Sequence, residues 1–260
     1  MAQISAHLAE NVHSRDVNVV SFARDTSHID LNLGERLRQL AIHLECSIGV
    51  REWRVLGPIY AASLEADPRN ADAWSSQAIA RKHTGEDSPE ALRECVASSR
   101  HAVALAPDDG HLWGHLGMSL YESDELEEAE VALRRSIELG HAGWPHLWLA
   151  HTLHDGKRWG EAAEAYASIP AGRLPSWAAW RIQLARQQRA ACLLRTGRRP
   201  EAVALYAEVL ERYERALAAD MEWDASPVLQ CGAPEYLRED LAALPELQER
   251  AKELLGQLDR

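Results

Sequence analysis

Apolar residues return every three or four positions through most of the chain, and polar turns interrupt them at nearly regular intervals. Two of these interruptions match. LEADPRNADAW (Leu64–Trp74) and ALAPDDGHLW (Ala104–Trp113) each end an apolar helix at Pro68 or Pro107, cross a polar turn and open a new helix on a tryptophan. Pro68 to Pro107 and Trp74 to Trp113 are both 39 residues. After Trp113 come Leu116, Gly117 and Tyr121, then a second helical stretch with Ala129, Leu133 and Ile137 on one face. A slightly shorter interval after Trp113 leads to Leu147, beside Trp148. The second stretch recurs as EAAEAY (Glu161–Tyr166) and PEAVALY (Pro200–Tyr206), with Tyr166 and Tyr206 separated by 40 residues. Helix–turn–helix units of this period predict a helical solenoid, because one unit cannot bury its apolar faces alone.

Local signals agree. Gly85 and Gly197 follow helical stretches where a left-handed residue is wanted. Ser88-Pro89-Glu90 and Pro200-Glu201 restart helices with proline where its missing N–H costs nothing. Asp124, three residues before Glu127, is expected to cap the helix that follows. Small residues at Ala129, Ala162 and Ala202 let paired helices approach closely.

These units resemble the tetratricopeptide repeat, whose pattern is W-x2-L-G-x2-Y, then A-x3-F, then a closing proline. Trp113, Leu116 and Gly117 match the opening, with Leu120 at the aromatic position and Tyr121 next to it; Ala129 and Leu133 match the second helix. Ala162 with Tyr166 and Ala202 with Tyr206 repeat that second-helix pair. Trp74 opens an earlier unit in which Gln77 and Ala78 replace Leu-Gly, and Trp53 with Tyr60 mark a further unit ending at Pro68. The resemblance implies an all-α, right-handed superhelical solenoid of helix–turn–helix repeats with a C-terminal capping helix. It also implies a concave groove, lined by the first helix of each repeat, that holds a peptide segment of a partner protein. Units of 39 and 40 residues exceed the family's 34, so an extra helical turn or a longer connection is expected.

The ends differ from the middle. Residues 1–35 include DVNVVSF and TSHIDLNLG and read as an irregular N-terminal arm. Residues 36–225 read as the repeat array, about three to four units. Residues 226–260 read as C-terminal capping helices, apolar at Leu237, Leu241, Leu244, Leu247, Leu254 and Leu258 and charged between.

Composition narrows the function. The 260 residues are 46 % apolar and 26 % charged, ordinary for a folded protein, and the formal net charge is −12. Bulk attraction to nucleic acid is thereby excluded. Cys46, Cys95, Cys192 and Cys231 form no CxxC, so neither a disulfide framework nor a zinc knuckle is expected. No signal peptide and no membrane span is visible, and the expected location is the cytoplasm. Nine tryptophans against one phenylalanine fit the gap-filling role of large aromatics between stacked helices, although exposed ones would equally serve self-association.

Candidate chemistry begins with histidine. His111 and His115 lie four apart on one helix face, and His146, His151 and His154 cluster on the next first helix. The groove face is expected to comprise Lys82, His111, His115, Met118, Tyr121, Trp148, His151 and His154. The alternative is a small enzyme or a metal- or ligand-binding sensor built on His111, His115, His151 and His154. No HExxH, G-x-S-x-G or glycine-rich phosphate loop is present, so neither a catalytic centre nor a cofactor is expected. The lysine and asparagine set with which some of these repeats clamp a C-terminal carboxylate is not evident. From Ala165 to Pro200 the chain has no acidic residue and seven arginines, 173, 181, 186, 189, 195, 198 and 199. That strip would suit an acidic peptide or a nucleic-acid backbone, but is expected to face the acidic run at Glu122, Asp124, Glu125, Glu127, Glu128 and Glu130 or solvent, more than RNA.

Overall fold

The computed structural model describes residues 32–46, 53–84, 88–175, 178–218 and 233–258. They form helices α1 (Leu33–Cys46), α2 (Trp53–Ala66), α3 (Ala71–Thr84), α4 (Pro89–Leu105), α5 (Gly110–Glu122), α6 (Leu126–Glu138), α7 (Trp144–Asp155), α8 (Trp159–Ala167), α9 (Ala179–Arg195), α10 (Arg199–Ala218), α11 (Ala233–Ala242) and α12 (Gln248–Leu258). Among the described residues there is no strand; the fold is all-α. The bulk of the N-terminal arm, Gly85 and the start of the C-terminal segment, 226–232, lie outside the described residues.

The chain divides into two compact units, Met1–Leu139 and Gly140–Arg260. In unit 1, α1/α2, α3/α4 and α5/α6 are helical hairpins stacked in order, since α2 also packs on α3 and α4 on α5. In unit 2, α7/α8 and α9/α10 stack the same way through α8 and α9, and α10 and α12 close the end. The long repeats have two causes. Helix α4 has 17 residues where α6 has 13, and α9 has 17 where α7 has 12, preceded by a single-turn 3-10 helix at Ala171–Arg173.

The matching Pro-to-Trp segments fold alike. Trp74 Nε1 donates to the Pro68 carbonyl at 2.9 Å, and Trp113 Nε1 to the Pro107 carbonyl at 2.8 Å. Asn70 and Asp109 each accept a first-turn N–H, from Ala73 at 2.9 Å and His111 at 2.8 Å. A further equivalence joins hairpin partners: buried Ser63 donates to the Gly34 carbonyl and buried Ser136 to the Gly110 carbonyl, both at 2.6 Å.

The small-residue positions do what their size requires. Ala129, Ala162 and Ala202 are fully buried. Gly117 is a close approach: a Cβ there would lie 2.5 Å from Leu133 Cγ.

Helix ends correct one expectation. Ser88 does cap α4, accepting from Ala91 N at 3.2 Å with Pro89 in the first turn. Asp124 caps nothing. The residue before α6 is Glu125, without a side-chain capping bond, and Asp124 stands in the left-handed region at φ 62°. There it closes the α5–α6 turn, in which Glu125 N donates to the Leu120 carbonyl at 2.9 Å. Lys157 at φ 59° and Gly197 at φ 77° hold the same place, with Arg158 N bonded to Leu153 O and Arg198 N to Leu193 O, each at 2.9 Å.

At the C-terminus, Leu237, Leu241, Leu244, Leu247 and Leu254 are buried against Tyr206, Val209, Leu210 and Tyr213. The segment breaks at Pro245, which opens a 3-10 turn between α11 and α12.

Candidate functional site

Backbone bonds set the register between first helices. The turn bond from Glu125 N to Leu120 O recurs as the bond from Arg158 N to Leu153 O. Side chains keep the same offset: Ser119 Oγ donates to His115 O at 2.9 Å, and Thr152 Oγ1 donates to Trp148 O at 2.8 Å. The match of Trp113 to Leu147 is therefore one residue out, and His146 holds that place. On this register His111, His115, Met118 and Tyr121 of α5 correspond to Trp144, Trp148, His151 and His154 of α7. The 39-residue register of the tryptophans makes Lys82 of α3 equivalent to Tyr121. All eight predicted positions thus fall on one recurring face of the first helices. Trp144, the counterpart of His111, belongs to that face and is missing from the sequence-based set.

In unit 1 this face carries polar contacts from one first helix to the next. Ser75 Oγ lies 2.6 Å from His115 Nδ1, and Lys82 forms an ion pair with Glu122. Both contacts join α3 to α5. The rings of His111 and His115 meet at a 45° tilt with centroids 4.2 Å apart. Met118 and Tyr121 are half-buried on the same face, with Tyr121 packed against the core of Leu112, Leu116 and Leu120.

In unit 2 the histidines turn towards the second helix of their own hairpin. His151 Nδ1 lies 2.9 Å from Tyr166 Oη, and its ring meets Trp148 edge-on at 5.8 Å. Burial draws the His151 pKa down to about 4, so it is neutral near pH 7. His154 Nδ1 lies 2.8 Å from Asp155 Oδ1, and its ring meets Trp159 at 5.0 Å. His111 and His115 belong to unit 1, His151 and His154 to unit 2. Among the described residues no group of three or more His, Cys, Asp or Glu is placed to hold a metal ion.

The two described thiols are not poised for nucleophilic chemistry. Cys95 and Cys192 are buried, which raises both pKa values, that of Cys192 to about 11.

Within each unit, described acids and arginines of these two stretches pair locally. Glu122 pairs with Lys82, Glu125 and Glu128 with Arg100, and Glu130 with Arg134, all inside unit 1. The strip finds other acids: Arg195 faces Asp240 at 3.5 Å, Arg198 bridges Glu164 at 2.5 Å and Glu201 at 2.6 Å, and Arg199 meets Glu246 at 2.9 Å. Local partners win because each arginine lies on a helix end already packed beside a carboxylate. Arg181 also meets aromatic rings. Its guanidinium lies over Trp144, Trp148 and Trp180 at 5.6, 5.9 and 4.5 Å from the ring centroids.

No helix among the described residues is long and apolar enough to cross a membrane. No protein-family model matches the chain, and no curated protein matches it. Its fold is similar to solved structures. The crystal structure of MamA superposes with a TM-score of 0.55 at 22 % identity, covering 73 % of this chain and 99 % of that one. YrrB, described as a TPR protein with an unusual peptide-binding site, gives 0.54 at 17 % identity, covering 79 % of this chain and all of that one, 100 %. The human IFIT1 dimer with PPP-AAAA gives 0.57 at 16 % identity, covering 92 % of this chain and 53 % of that one. The protein has the tetratricopeptide-repeat fold.

Proposed function

We propose that the protein is an interaction module whose first-helix faces bind an extended peptide segment of a partner protein. One observation carries this reading. First helices in each unit place chemically distinctive, incompletely buried side chains at corresponding positions: Lys82, Tyr121 and His154 at one level, Met118 and His151 at another, His115 and Trp148 at a third. Small alanines and leucines make most of the packing between hairpins, and these larger polar and aromatic groups add distinctive chemistry to it, Tyr121 also packing against the core. Rigid helices carry them, which limits the ordering cost of binding on the receptor side. The likeness to YrrB supports a peptide ligand in kind. Absence of a catalytic sequence motif favours binding over catalysis.

The test is affinity capture from nuclease-treated lysate, with a photo-crosslinking amino acid at Met118. The wild-type face should retain and crosslink a discrete protein, and His115→Ala with Tyr121→Ala should lose it while keeping wild-type helicity. Undiminished capture by the double variant would move the binding site off this face.

A further inference from the structure

The α9–α10 hairpin of unit 2 brings two arginines together. Tyr213 Oη donates to Gln187 Oε1 at 3.1 Å, and this buried bond sets the middle of α9 beside the C-terminal half of α10. Arg186 precedes one partner of that bond and Arg212 the other, and both arginines are half-buried. Burial and then the charge of Arg212 lower the Arg186 pKa, while the opposing pull of Glu208 is the weaker of the two charge effects.

Local acids leave this pair of cations in excess. On α10, Glu211 is engaged by Arg215 at 3.5 Å and Glu214 by Arg250. The chain has no acidic residue from Ala165 to Pro200, which includes all of α9. Glu208 is exposed, one turn before Arg212, and acts on Arg186 from beyond ion-pair distance. Among the described residues neither arginine forms an ion pair, and Arg186 donates to Gln183 Oε1 of its own helix at 3.4 Å. Two guanidiniums held close in a partly dry place raise the free energy until an anion joins them.

Register accounts for the placement. The turn bonds Arg158 N to Leu153 O and Arg198 N to Leu193 O are equivalent, so Arg186 stands where His146 and Trp113 stand in earlier first helices. Trp113 spends its N–H on a proline carbonyl at the start of its helix. Helix α9 begins at Ala179, more than a turn before Arg186, and its side chain at this place meets the long α10 instead of a turn. In the same register Leu184 and Gln188 continue the first-helix face, so Arg186 lies off that face.

We propose that Arg186 and Arg212 form a clamp for a doubly charged tetrahedral oxyanion, a phosphate or a phosphomonoester, on the α9–α10 hairpin. Each guanidinium presents coplanar N–H donors, and two of them match the charge of a dianion and bond separate oxygens of it. The clamp is independent of the peptide-binding reading above.

The experiment is calorimetric titration of the full chain with inorganic phosphate and, at matched ionic strength, with chloride and acetate, at about pH 8, where a phosphomonoester is fully ionised. A phosphoserine peptide with blocked termini and its serine counterpart are the further probes. Phosphate should bind at least about tenfold more tightly than acetate, and Arg186→Gln and Arg212→Gln should each weaken it at least about tenfold. Arg186→Lys, which keeps charge but not the planar fork, should retain part of the affinity, and Glu208→Gln should increase it. Phosphate also stabilises proteins through exclusion from their surface, an effect common to wild type and variants, so its gain in melting temperature should be larger in wild type than in either glutamine variant. Tighter binding of the phosphoserine peptide than of free phosphate would assign the anion to a modified partner, and the reverse order to a free ion; both support the clamp. No phosphate binding by wild type, acetate binding as tight as phosphate, or unchanged affinity in folded Arg186→Gln and Arg212→Gln would each overturn it. His115→Ala with Tyr121→Ala should leave phosphate binding unchanged, so the clamp and the peptide-binding face stand or fall separately.

Discussion

Tyr166 Oη links the two nearest first helices of unit 2: it lies 2.9 Å from His151 Nδ1 and donates to Gln188 Oε1 at 3.1 Å. With its single proton directed to Gln188, the hydroxyl accepts from His151, which assigns the neutral imidazole proton to Nδ1. A second-helix residue thus fixes the tautomer of a face residue.

That arrangement predicts acid sensitivity. The folded-state pKa of His151 is lowered from an ordinary 6.5 to about 4 by burial. The unfolded chain therefore takes up a proton first. The stability contributed by keeping His151 neutral is complete above pH 6.5 and is lost as pH falls from there to about 4. The loss at the lower limit is on the order of 3 kcal/mol. Melting temperatures measured at pH 7 and pH 5 should differ less in His151→Gln than in wild type, and an equal difference would count against the assignment.

Gly117→Ala should destabilise unit 1. The new Cβ would meet Leu133 Cγ at 2.5 Å, and that branch point cannot swing away as a chain end can. Overpacking of about 1–3 kcal/mol outweighs a helix-propensity gain of about 1 kcal/mol. Urea midpoints would show it, and Gly117→Ala combined with Leu133→Ala should cost less than the sum of the single changes.

Lys157→Gly should stabilise unit 2. A non-glycine residue in the left-handed region costs about 1–2 kcal/mol, part of which glycine returns through its freer unfolded chain. A gain of about 0.5–1 kcal/mol is expected by thermal unfolding, and Asp124→Gly should gain less because aspartate tolerates this region better. Gly197→Ala should move the other way.

Ser63→Ala and Ser136→Ala should each cost about 0.5–1.5 kcal/mol, because each removes a buried hydroxyl bond to a helical carbonyl, that of Gly34 or Gly110, which keeps its own helix bond. Similar losses by chemical denaturation would establish that the two bonds are equivalent; a loss at one site alone would separate the hairpins.

The architecture was legible where large residues mark it. Trp74 and Trp113 announced matching turns because an indole that must reach a proline carbonyl leaves a fixed spacing behind. Ala129, Ala162 and Ala202 were legible for their smallness. The left-handed places at Asp124 and Lys157 were not, since only Gly197 carries the residue type that signals them. The eight face residues are readable as types at helical spacing, whereas Trp144, which opens α7, stands just before the PHLWLAHTLH run that carries the histidines. Arg181 was seen as part of a basic strip. Its stacking was hidden because Trp144 and Trp148 belong to the preceding repeat and are distant along the chain.

The recurring first-helix face has one more consequence. Bonds that define each hairpin run through turn carbonyls, buried serines and small alanines, whereas the level shared by Lys82, Tyr121 and His154 has held a cation, a phenol and an imidazole on the same frame. On the proposed peptide-binding reading, ligand preference and folding meet at Lys82 and Tyr121, which pair with Glu122 and pack on the core, so of this level His154 is the position that could be rewritten with least compensation from the hairpins.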